Sequence, residues 1–110
     1  MSALIALAVC CAAELPGAEY YLKARDAERA VRYADALAAY AECQACDGPL
    51  APYARVRAAR CRAEGGDPDG AAAAYARLLT ASEDGPWKTM ARVYLATLLA
   101  KQKKHEEAEP

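Results

Sequence analysis

The stretch Asp47-Gly48-Pro49-Leu50 with Tyr53-Ala54-Arg55-Val56 returns 37 residues later as Asp84-Gly85-Pro86-Trp87 with Met90-Ala91-Arg92-Val93. Self-similarity at a fixed period of roughly 20–50 residues marks an architecture of stacked units, each too small to bury its own apolar face. Such chains work by surface recognition more often than by chemistry. Composition agrees with helical units. Alanine fills 30 of 110 positions, there is no Phe, and β-branched residues form no alternating run. Alanine is the best helix former and lets helices approach closely. The expected fold class is therefore all-α, about five helices arranged as antiparallel hairpins.

Turn residues divide the chain. After Leu15-Pro16-Gly17, a first helix is expected from about Ala18 to Val31 and a second from about Tyr33 to Ala45. Asp47-Gly48-Pro49 stops the second, because proline cannot continue a helix and glycine suits the left-handed exit. The third runs from about Pro52 to Glu64 and ends at Gly65-Gly66. Asp67 then caps the fourth, Pro68 takes its first turn, and the helix runs to about Ser82, where Glu83-Asp84-Gly85 closes it. The fifth starts near Pro86-Trp87 and reaches about Lys103. No Gly or Pro marks the boundary near Arg32, so a single long helix across it competes with two. The resulting units are 18–48, 49–85 and an incomplete 86–110.

Aligning the units places Ala24, Ala59 and Ala96 together, then Ala36, Ala71 and Ala108, with Tyr40 and Tyr75 four residues after the second set. This pattern resembles the tetratricopeptide repeat, a helix-turn-helix unit with small residues where its helices cross and an aromatic beside them. The turn Gly66-Asp67-Pro68-Asp69-Gly70-Ala71 and its counterpart Lys104-His105-Glu106-Glu107-Ala108 carry the same resemblance. Departures are Arg55 and Arg92 where the family carries large apolar residues, and Ala27, Arg62 and Leu99 where it carries an aromatic. The resemblance implies a non-catalytic protein-binding or scaffold module. The linker and spacing also resemble the helical solenoid of bacterial soluble lytic transglycosylases, which gives the alternative: the non-catalytic portion of a cell-wall lytic protein.

Residues Ala3 to Ala13 form an unbroken apolar run. It is too short for a bilayer span, which takes about 20 residues. It reads either as the core of an export signal, giving a periplasmic or envelope protein, or as a first buried helix (residues 1–17) of a cytoplasmic one.

Chemistry finds little support. Cys43-x-x-Cys46 has a redox spacing but closes a helix instead of opening one, and the βαβ setting is missing. A cysteine-based redox protein is the third and weakest reading; if exported, Cys61 pairs with Cys43 or Cys46. One histidine, His105, with these cysteines makes no zinc spacing. No catalytic, cofactor or metal residue is assigned. Lys and Arg total 14 against 15 Asp and Glu, which argues against nucleic acid. The partner is expected to be a protein or peptide. Its candidate contacts are Arg55, Arg62 and Arg92, the first and last being repeat equivalents expected side by side. Helix five is the most apolar, and Tyr94, Leu95, Leu98 and Leu99 are the candidate face for self-association.

Overall fold

The structure is a computed structural model and describes residues 15–108. These fold as five helices: α1 (Ala18–Arg29), α2 (Tyr33–Ala45), α3 (Ala51–Glu64), α4 (Pro68–Leu79) and α5 (Pro86–Ala108), with no strand among the described residues. Each packs on the next in sequence, and α3 also touches α5. The apolar run at 3–13 lies outside the described residues.

α4 stops at Leu79, three residues short of the expected Ser82. The break between α1 and α2 falls where two helices are expected to meet. Val31 takes a left-handed conformation (φ 61°), its N–H donates to the Glu28 carbonyl, and that of Arg32 reaches back to Ala27 at 2.9 Å. This doubly bonded helix exit is normally built on glycine. The second hairpin builds it so, with Gly66 at φ 99° and Asp67 N–H on the Arg62 carbonyl at 2.8 Å. Val31 thus does a glycine's task, which hides the turn from composition and excludes the single long helix. The other difference is at the C-terminal end. No turn forms at Lys104–Glu107: α5 continues to Ala108, so His105 lies on a helix. The run Lys-Gln-Lys-Lys-His-Glu-Glu contains no breaker, and its lysines, glutamines and glutamates are good helix formers.

Glycine is demanded once more where α1 begins. Gly17 has φ 83°, and an added Cβ would meet the Cys43 Sγ at 2.9 Å. The chain therefore enters α1 against the end of α2.

Burial follows the repeat. Ala24, Ala36, Tyr40, Ala71 and Tyr75 are buried, and Ala59 with them. The core has two compartments divided by α3. Ala54, Ala58 and Cys61 face α1 and α2, joining Ala24, Ala36 and Tyr40. Val56 and Ala59 face the other way and join Ala71, Tyr75 and Leu78 of α4 with Trp87, Ala91 and Leu98 of α5. Alanine at these crossings permits close backbone approach, and the tyrosines fill the adjoining space. Among the aligned residues whose burial is described, one departs: Ala96 is exposed. Nine residues separate it from buried Trp87, which at 3.6 residues per turn is half a revolution. The anchoring of Trp87, Ala91 and Leu98 on α4 and α3 turns Ala96 outward.

Candidate functional site: an arginine-lined groove

The face of α3 that carries Arg55, Ala58, Ala59 and Arg62 follows the i, i+3, i+4, i+7 rule for one helical side. Ala74, Arg77 and Leu78 of α4 stand against it, and Ala81 to Glu83 with Trp87 close one end. Together with Gln44 of α2 they enclose a groove of about 550 Å³. Its floor is mostly alanine, which leaves room between the helices. Its wall carries three guanidinium groups and one carboxylate, that of Glu83. Arg55, Arg62 and Arg77 are exposed, and none has an ion pair or side-chain hydrogen bond among the described residues. Each guanidinium offers a planar fork matched to carboxylate.

The structure thus brings Arg55 and Arg62 together and adds Arg77, which sequence comparison missed. Arg77 has no repeat equivalent, since Glu42 stands 35 residues earlier. Its only signal was helical spacing from Ala74 on α4. Arg92 is exposed but is not part of the groove, so no ladder with Arg55 forms there. It sits five residues past Trp87, well round the helix from the side that Trp87 presents. Of the four residues expected as an association face, Leu98 is buried and Tyr94 and Leu95 are half-buried. Tyr94 packs on Tyr75, with ring centroids 6.3 Å apart, and lies under the Arg60 guanidinium at 5.2 Å. Leu99, 51% exposed, is the one that faces outward.

A second polar cluster has an internal partner for its charge. Glu28, largely buried on α1, accepts from the Tyr40 hydroxyl at 2.7 Å and faces Arg57 and Arg60 of α3 at 3.7 Å each. Arg57 Nε donates to the Tyr21 hydroxyl at 3.1 Å. Two cations sharing one anion tie the first hairpin to α3. The linker ahead of α5 is held by Lys88, a buried amine that donates to the Ala81 carbonyl at 2.5 Å and to Asp84 at 3.1 Å.

Two of the three described thiols are set against redox chemistry. Cys43, Cys46 and Cys61 are free, and the first and last are buried. Burial, with the Glu28 carboxylate adding to it, pushes the Cys61 thiol up to about 12. Burial, then the neighbouring Cys46, also raises Cys43. A reactive cysteine needs the opposite shift, because the thiolate is the nucleophile. No group of three or more His, Cys, Asp or Glu that could hold a metal occurs among the described residues, and no described helix is long and apolar enough to cross a membrane.

No curated protein and no solved structure matches the chain. The sequence profile of the tetratricopeptide repeat-like domain matches residues 11–109, nearly the whole length, and the chain belongs to that family, whose members are generally protein-interaction modules.

Proposed function

We propose that this protein is a non-catalytic binding module whose α3–α4 groove takes an acidic segment of a partner protein. The carrying observation is that Arg55, Arg62 and Arg77 converge on one groove without internal acidic partners. Three cations so placed repel one another, and a bound carboxylate relieves that repulsion while using the guanidinium forks. Leu78, Trp87 and the alanine floor add apolar contact, so the fitting segment alternates acidic and small apolar side chains. Membership of a protein-interaction family supports this reading. The buried, raised-pKa thiols of Cys43 and Cys61 favour it over a redox role.

Trp87 is the chain's only tryptophan and lines the groove, so its emission reports occupancy. Titration with a short peptide of alternating Glu and Ala is expected to change that emission saturably, and added salt should weaken the binding. Arg55→Glu combined with Arg62→Glu is expected to lower affinity at least about tenfold, while Arg92→Glu leaves it unchanged. Equal loss from the Arg92 variant, or none from the double variant, would remove the groove from the mechanism.

A further inference from the structure

The cluster around Glu28 holds more cation than its internal anion balances. Arg25 and Arg29 share one side of α1 with Glu28, and Arg57, Arg60 and Glu64 of α3 face them. Tyr33, which opens α2, completes the lining of a cleft of about 350 Å³. Glu64 is drawn to Lys101 of α5 at 3.8 Å, a lysine outside the cleft. That leaves Glu28 as the counterion for four guanidinium groups. Arg57 and Arg60 stand 3.7 Å from its carboxylate, too far for a hydrogen bond. Arg57 uses only its Nε, on Tyr21, and the terminal N–H groups of both arginines keep their donors. Arg25 and Arg29 have no ion pair and no side-chain hydrogen bond among the described residues. Arg25 and Arg60 are also repeat equivalents, 35 residues apart, each directly after a buried alanine. Stacking therefore brings matched arginines into one cleft at Arg25 and Arg60, where Arg55 and Arg92 were expected to do so.

We propose that this cleft binds a phosphate monoester dianion. Four arginines against two glutamates leave an excess of two positive charges in the lining. A carboxylate supplies one charge and two oxygens. A phosphoryl group supplies nearly two charges and three strong acceptors, which guanidinium forks take bidentately. Apart from Tyr33 the lining is wholly charged, so the cleft lacks the apolar floor that fits the α3–α4 groove to a peptide. The chain as a whole is net −1, so a single phosphoryl group fits it and a nucleic-acid backbone does not. The cleft and the groove lie on opposite sides of α3: Glu64 follows Arg55 by nine residues, which is half a revolution. Occupancy of one therefore does not depend on the other.

NMR titration of the full 110-residue chain at constant ionic strength provides the test, read on the arginine Nε–Hε signals. The probes are inorganic phosphate and a short alanine peptide carrying one phosphoserine. Saturable shifts are expected, and Arg25→Ala combined with Arg29→Ala should weaken binding at least about tenfold. Neither arginine holds an internal partner, so the double variant should melt no lower than the parent. Arg29→Glu, at an exposed position, makes the same test should that variant prove unstable. Arg55→Ala combined with Arg62→Ala should leave phosphate binding intact. The Trp87 response to an acidic peptide should in turn survive loss of Arg25 and Arg29, so that the two sites fail separately. Acetate should bind at least about tenfold more weakly than phosphate. Tighter binding of the peptide assigns the phosphoryl group to a modified protein, and equal binding assigns it to a small free anion; either outcome supports the cleft. Absence of saturable binding by both probes would overturn the proposal. So would binding that survives loss of Arg25 and Arg29, or acetate binding as tightly as phosphate.

Discussion

Helices α3 and α5 carry matched residues in unlike surroundings. In α3, Ala54 packs toward the hairpin before it, and Val56 with Ala59 toward the helix after it. In α5, Ala91 fills the first of these roles, while Val93 and Ala96 face outward. The repeat thus writes both contact surfaces into each leading helix, whether or not a neighbour occupies the second. Sequence similarity between units reports what a surface is shaped to receive, and burial reports what it has received.

Substitutions at matched positions turn this contrast into measurements, made by urea unfolding at dilute protein. Ala59→Leu forces a larger side chain into the α3–α4 crossing and is expected to cost about 2–3 kcal/mol, whereas Ala96→Leu should stay within about 0.5 kcal/mol. Comparable losses at the two sites would mean that α5 is covered on both sides. Val56→Ala should cost about 2 kcal/mol through lost burial and the space left behind. Val93→Ala is expected to be neutral or slightly stabilising, since alanine is the better helix former. A smaller effect is expected at the matched turns. Val31 and Gly66 occupy the same left-handed position 35 residues apart. Val31→Gly relieves a steric penalty of about 1–2 kcal/mol but loosens the unfolded chain, for a net gain of about 0.5–1 kcal/mol. A loss of stability there would show that the exposed valine contributes more than its backbone costs.

Much of the architecture was readable from residues alone, and the reasons differ by region. Pro, Gly and Asp placed the end of α2 and the start of α4 correctly, because those residues act on the backbone locally. Matched alanines and tyrosines located both core compartments, because close helix crossings tolerate few other side chains. The end of α5 was misread since its charged stretch resembles a turn by alignment while containing nothing that breaks a helix. The association face was misjudged for another reason. Apolarity alone does not tell which side of α5 turns inward, and Trp87, Ala91 and Leu98 settle that only once α4 is in place. In the groove, Arg55 and Arg62 were visible through helical spacing on one element. Arg77 was not, because it comes from a different helix and breaks the repeat.

The sharing of Glu28 between two arginines bears on where this chain can be cut. Within residues 18–48 the carboxylate finds only the Tyr40 hydroxyl, and its countercharge arrives with Arg57 and Arg60. A fragment ending before α3 would lose both ion pairs and open to water the core that Ala54, Ala58 and Cys61 of α3 cover. The first repeat is therefore not a self-sufficient module, and transplanting it into another protein would require carrying α3 along.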